Sequence, residues 1–254
     1  MNCKKEFLFC QPCRTLKSTL LKKTCVSILI VSISLFACSK EDKFITPETC
    51  VSQTDNPSGR SYSSDSVIPV NYSKKNCGLI PLNKKNYWIY QDSLFNDGVF
   101  VKVQFDTLRF TSTFESVADK LIWWQSNISV GLPSKLYAND SAFFELENRM
   151  FSSGIMDVQK SYSLFEGDSV RYLSHFEDNA AMGRSVKMQG YLSTPAGGFY
   201  DYILFEKNAR SYRKDQVYFK PGLGVLKYTL EIAPQGTDII KLQQVSTLTA
   251  FHIE

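Results

Sequence analysis

Short apolar runs alternate with polar turn signals over most of this chain, and that rhythm predicts strands. Tyr87-Trp88-Ile89-Tyr90 leads to Asn96-Asp97-Gly98, and an Asp-Gly step between two apolar runs is a strong hairpin signal. Past the turn, Val99, Val101, Val103 and Phe105 fall on one face and Lys102, Gln104 and Asp106 on the other. A period of two with β-branched residues predicts a half-buried strand. Runs at 121–125 (LIWWQ), 142–146 (AFFEL), 170–176 (VRYLSHF), 184–192 (RSVKMQGYL) and 199–206 (FYDYILFE) follow at similar spacing. In 225–232 (VLKYTLEI), Leu226, Tyr228, Leu230 and Ile232 alternate with Lys227, Thr229 and Glu231. The last run, 238–253, loses its phase near Gln243-Gln244, which predicts a bulge or bend. No segment carries a sustained helical stripe. The expectation is an all-β domain of about nine to eleven antiparallel strands, as a meander, barrel or sandwich.

The first 37 residues follow a different pattern. Lys4, Lys5, Arg14, Lys17, Lys22 and Lys23 precede an uncharged run, 25–37 (CVSILIVSISLFA), that ends at Cys38. A basic segment before an apolar run of about 7–15 residues is a secretory signal, and the run falls short of the roughly 20 apolar residues of a transmembrane helix. Leu35-Phe36-Ala37-Cys38 resembles a bacterial lipobox, with Phe36 larger than the residue usual there. The resemblance implies that Cys38 receives a diacylglyceryl group, that 1–37 is removed, and that the new amine is acylated. More than one acyl chain is what stable anchoring takes. Ser39-Lys40-Glu41-Asp42 resembles the acidic export signal of surface-exposed lipoproteins of the Bacteroidota kind, which implies an outer-membrane protein exposed at the cell surface. A periplasmic face is the alternative.

That leader accounts for the basic character of the chain. Six of its 29 Lys and Arg and one of its 25 Asp and Glu lie in 1–37, so the formal charge of +4 becomes −1 beyond them. The remainder lacks the basic excess of a nucleic-acid binder or of a patch for anionic lipid. Cys10-Gln-Pro-Cys13 has redox or half-zinc spacing, but no second ligand pair or βαβ context accompanies it, and no metal or cofactor is expected. Beyond Cys38 only Cys50 and Cys77 remain, and an isolated pair outside the cytoplasm favours a disulfide. Residues 38–76 are rich in Ser, Asp, Asn, Pro and Lys and predict a flexible tether; 77–254 is the expected single domain.

Three segments carry a further resemblance. Leu82 to Tyr90 (LNKKNYWIY) resembles the opening G-x-x-W-x-Y hairpin of uncharacterised bacterial envelope lipoproteins, with Asn86 where glycine often precedes the tryptophan. Thr194 to Phe199 (TPAGGF) and Tyr218 to Tyr228 (YFKPGLGVLKY) resemble their later strand and turn. Several such proteins look like the curved half-barrels of the LolA/LolB lipoprotein carriers, so the resemblance implies a curved sheet or half-barrel with an apolar concavity.

Signals for catalysis are sparse. His175 and His252 sit in strand-like runs without a nucleophile motif or ligand spacing. Glu166, Asp168, Glu177 and Asp178 could supply the paired carboxylates of a glycosidase only if folding brought them together. Trp123 and Trp124 are candidate ligand-contact aromatics, because neighbours on a strand point to opposite faces and an exposed tryptophan suits sugar stacking or a protein hot spot. The expectation is a membrane-anchored, non-catalytic protein that binds a glycan, a protein or an apolar ligand, or is purely structural. The alternative is a hydrolase of envelope or extracellular polymer, marked by a cleft with two close carboxylates, one of raised pKa.

Overall fold

The computed structural model describes residues 50–149, 152–164, 169–171, 181–209 and 212–254. Cys38, the stretch Ser39-Lys40-Glu41-Asp42, the leader, His175, Glu166, Asp168, Glu177 and Asp178 lie outside the described residues. Among the described residues are sixteen strands and one 3-10 turn, Ser64–Ser66. The strands are β1 (Val51–Ser52), β2 (Ser61–Ser63), β3 (Val67–Val70), β4 (Asn76–Cys77), β5 (Tyr87–Asn96), β6 (Val99–Ser116), β7 (Ile122–Ser126) and β8 (Lys135–Ala138). They continue as β9 (Ala142–Asn148), β10 (Ile155–Ser163), β11 (Ser169–Arg171), β12 (Ala181–Thr194), β13 (Gly197–Ala209), β14 (Arg213–Lys220), β15 (Gly224–Ile232) and β16 (Lys241–His252).

The all-β antiparallel expectation holds, with more strands than the pattern suggested. One sheet has fourteen strands in the order β11-β12-β13-β14-β15-β16-β5-β6-β7-β8-β9-β10-β2, with β3 beside β6 off that path. Among the described residues its end strands, β11 and β2, do not pair, yet strands toward the two ends meet through side chains. Phe143 of β9 lies 5.2 Å ring to ring from Phe219 of β14, and Tyr162 of β10 lies 5.2 Å from Phe205 of β13. These strands are far apart in the sheet order, so the sheet must curve back on itself. The inner face of that curve is the main core, with Trp88, Tyr90, Phe110, Trp124, Phe143, Phe205 and Phe219 all fully buried.

The local signals explain the turns. Asp97 and Gly98 have φ of 51° and 84°, the left-handed pair that a two-residue hairpin loop between Asn96 and Val99 requires. The phase loss at the end of the chain is a bulge: Leu230 opposes Gln244 and Glu231 opposes Leu242, which leaves Gln243 extra. The segments 82–90 and 218–228 meet in space. The Trp88 indole N–H donates to the Leu223 carbonyl at 2.7 Å, and the Tyr90 hydroxyl donates to the Val225 carbonyl at 2.8 Å. Gly224 (φ 129°) begins β15 against that indole; a Cβ there would lie 3.0 Å from Trp88 Nε1. Asn86, two positions before Trp88, is buried and donates to the Pro81 carbonyl while accepting from the Glu254 amide.

Three expectations are corrected. Residues 50–76 do not form a tether: β2 pairs with β10, β3 pairs with β6, and Tyr62 and Val67 enter a second core on the outer face of β7–β10. Polar composition hid this because a few apolar residues suffice to cover a face that is itself apolar. Asp119 anchors the segment by accepting from Arg60 (2.5 Å), Tyr62 (2.7 Å) and Ser116. A Cys50–Cys77 disulfide, with Cα atoms 5.4 Å apart, closes its start onto the domain beside the β1–β4 pair.

Trp123 and Trp124 are both buried, so neither is an exposed ligand contact. They do point to opposite faces, but both faces are covered: Trp124 packs edge-on to Phe110 and Tyr72 in the main core, Trp123 edge-on to Tyr62 in the second. The valine face of β6 is the reverse case. Val99, Val101, Val103 and Phe105 are exposed, because the inner face of β6 carries Gln104, Asp106, Leu108 and Phe110.

Candidate functional site

Along β9, β13 and β14 the inward positions change from apolar to charged toward one end. Phe143 is followed in phase by Glu145 and Glu147, Ile203 and Phe205 by Lys207, and Phe219 and Val217 are preceded by Asp215 and Arg213. Curvature brings these three strand ends together around a cavity of about 220 Å³. Ser161 and Tyr162 reach it from β10, Tyr228 from β15, and the β7–β8 connection closes it with Ser129 to Ser134. A register shift between Lys160 and Tyr162 lets both Ser161 and Tyr162 meet Lys207. Gly131 (φ 82°) lets the connection lie on the core, since a Cβ there would fall 2.5 Å from Tyr228 and Val217.

The charges are held in a network. Arg213 grips Asp215 through two bonds, Nε to Oδ2 at 2.7 Å and a terminal nitrogen to Oδ1 at 2.9 Å. The Tyr228 hydroxyl donates to the same Asp215 at 2.7 Å. Burial pushes the Tyr228 hydroxyl pKa far up, and the Asp215 charge adds to the rise. Lys207, buried, donates to Ser161 Oγ at 2.9 Å and stands 4.2 Å from the Tyr162 ring centre. A planar guanidinium fork on a carboxylate and an ammonium over an aromatic face are among the stronger arrangements available to buried charge.

Glu145 stands out chemically. Burial pushes its carboxyl up to about 8; Lys207 opposes the rise, and the hydrogen-bonded carboxyl of Glu147 reinforces it. Two neighbouring carboxyls of this kind share a proton, because both cannot ionise cheaply at contact distance. At neutral pH Glu145 is therefore a hydrogen-bond donor, and the lining sets Lys207 and Arg213 among three carboxyl groups. Such a balanced, prearranged set can bind a small polar molecule through several directional contacts. The volume lies below the roughly 300–1,000 Å³ of sites for drug-sized ligands. Among the described residues no group of His, Cys, Asp and Glu could hold a metal ion.

None of these residues was singled out from the sequence. The available signal was a charge in phase with an apolar face, as Lys207 is with Phe205, but only the fold shows that three such charges converge. The acids Glu166, Asp168, Glu177 and Asp178 fall outside the described residues. His252 is an exposed strand-face residue whose ring stacks on Tyr87 at 5.5 Å. Tyr191 and Tyr200 form an exposed cross-strand pair 4.8 Å apart, and Tyr191 covers Gly198.

No protein-family model matches the chain, and no curated protein sequence matches it. Two solved structures are similar to it. One is a candidate exported protein with a YmcC-like fold from Bacteroides fragilis, 13% identical, with a TM-score of 0.35, covering 69% of this chain and 99% of its own. The other is a candidate lipoprotein from Parabacteroides distasonis, 11% identical, with a TM-score of 0.35, covering 70% of this chain and 100% of its own. Likeness at this level carries no argument about function, and a LolA/LolB relationship is not shown.

Proposed function

We propose that this protein is an outer-membrane lipoprotein, anchored through Cys38, whose β domain holds a small polar solute in the cavity of Glu145, Lys207 and Arg213 without transforming it. The observation that supports this reading is the convergence of five ionisable side chains on one cavity at the end of an otherwise apolar core. Buried ions cost several kcal/mol each unless paired, so a purely structural core would be built more stably from apolar residues. The charged lining also departs from the apolar concavity that a lipid carrier would need. A solute with both a carboxylate and a hydroxyl or amine group matches the alternation of Arg213 and Lys207 with Glu145 and Glu147.

Thermal denaturation of the full chain with amino acids, amino sugars and small hydroxy acids tests this. A solute at about a hundred times its Kd adds about 2.7 kcal/mol to stability, a shift of several degrees. The shift should vanish in Arg213→Met. A panel that shifts neither protein overturns the reading.

A second reading, hydrolysis, has two observations behind it. Lys207 Nζ lies within hydrogen-bond distance of Ser161 Oγ, as in serine–lysine dyads, and Glu145 could act as a general acid near neutral pH. The carboxyls and the Tyr162 ring around Lys207 favour an ammonium that donates to Ser161 rather than a base that takes its proton, which is why binding leads. Ester or glycoside turnover that is lost in Ser161→Ala or Glu145→Gln would put hydrolysis first.

A further inference from the structure

Among the described residues, the first half of β6 is paired on one side only. β5 runs along Val99 to Arg109, whereas the pairing with β7 starts only at Phe110. Asn127 covers the next stretch of that open edge, accepting from the Arg109 amide at 2.7 Å and donating to the Thr107 carbonyl at 2.8 Å. At the other end, Leu94 opposes Lys102 and Phe95 opposes Phe100, so Val101 is a bulge. Between bulge and cap lies a regular window, Lys102 to Asp106, whose outer edge is unpaired among the described residues.

This window is apolar where it should be wet. Val103 is 44% and Phe105 65% exposed, and Phe100 and Val101 beside them are 56% and 57% exposed. An open, unpaired strand edge with exposed apolar side chains is a template for another strand. Lysine on an edge ordinarily blocks such pairing. Here the window is symmetric about Gln104, and antiparallel pairing about that residue puts Lys102 of one copy opposite Asp106 of the other.

From this geometry we infer that the protein self-associates: two copies join β6 to β6 antiparallel about Gln104, with Lys102 facing the second copy's Asp106 and Val103 facing its Phe105. The inner face supplies an independent reason. Asp106 neighbours Asp92, a buried carboxylate with one oxygen that has no hydrogen-bond partner, and among the described residues no cation pairs with either. The second copy's Lys102 brings positive charge to that pair. A single strand pair is small beside the roughly 1,200 Å² of a stable interface, so the contact is weak in dilute solution. Anchoring both copies in one membrane raises their effective concentration and favours it.

The test is cysteine cross-linking of the full, membrane-anchored chain. Residues directly opposite in an antiparallel pair have Cα atoms about 4.5–5.5 Å apart, within the range a disulfide spans. Gln104→Cys should give an oxidised dimer well above the wild-type background, and Val103→Cys mixed with Phe105→Cys should give a heterodimer. Adding Lys102→Glu to Gln104→Cys should cut the dimer about tenfold, the scale of the two like-charge cross-strand pairs that the symmetric contact would then hold. Further addition of Asp106→Lys should restore it. No dimer from a Gln104→Cys chain that a maleimide still labels overturns the proposal. So does a solvatochromic dye on Phe105→Cys that responds to phosphatidylethanolamine vesicles while Gln104→Cys stays monomeric, since the face would then meet lipid.

Discussion

Glu145→Gln offers the sharpest test of the cavity's electrostatics. The folded-state value of this carboxyl, about 8, stands above the ordinary 4.5 it returns to on unfolding. Between those values the folded protein holds a proton that the unfolded chain has released, so Glu145 lowers stability as pH rises through that window. One proton over one pH unit is worth about 1.4 kcal/mol, which sets a ceiling of about 5 kcal/mol across the interval. Lys207 and Arg213 can turn further toward the ionised form, so a cost of about 4 kcal/mol, which still keeps the carboxyl protonated at neutral pH, is the expected magnitude. Glutamine has the same shape, keeps a donor and never ionises. Urea denaturation from pH 5 to pH 8.5 should therefore show wild type losing stability faster than Glu145→Gln. The two should lie within about 1 kcal/mol at pH 5, with the variant about 4 kcal/mol more stable at pH 8.5. Burial also raises Asp92, but that contribution is common to both proteins and cancels in the difference. Parallel pH profiles would refute the reasoning, because they would mean that Glu145 is ionised in the folded protein at neutral pH.

Three further outcomes are expected. Gly131→Ala should destabilise the fold by about 3 kcal/mol in the same assay, because its Cβ would drive into Tyr228 and Val217 at a left-handed φ; a neutral result would mean the β7–β8 connection lifts freely. Replacing Cys50 and Cys77 together by alanine should cost about 3 kcal/mol, the loss expected for a bond spanning 27 positions, and unchanged stability would show that strand pairing alone holds this segment. Asp119→Ala should speed amide exchange in Ser61–Ser63 about thirtyfold, as about 2 kcal/mol of local anchoring is lost, while exchange in β14 and β15 stays slow. Equal slowing or acceleration in both regions would contradict an anchoring role confined to the outer layer.

Local chemistry wrote much of this protein's architecture into the sequence. Period-two alternation gave strands at β6, β13 and β15, because in a pleated chain alternate side chains must take opposite faces. Asp97-Gly98 and the slip at Gln243 specified a turn and a bulge, since both depend only on neighbouring backbone. The Cys50–Cys77 pair was legible because no other cysteine lies beyond Cys38. Alternation states that two faces differ, however, and does not say which one is covered. The valine face of β6 is exposed because the sheet curves with the opposite face, that of Leu108 and Phe110, inward, and Trp123 is buried because Tyr62, about sixty positions earlier, folds over it. The cavity depends on tertiary structure in the same way. Glu145, Lys207 and Asp215 each read as a polar interruption of an apolar strand, and only the curvature that brings β9 against β13 and β14 turns the three interruptions into one site.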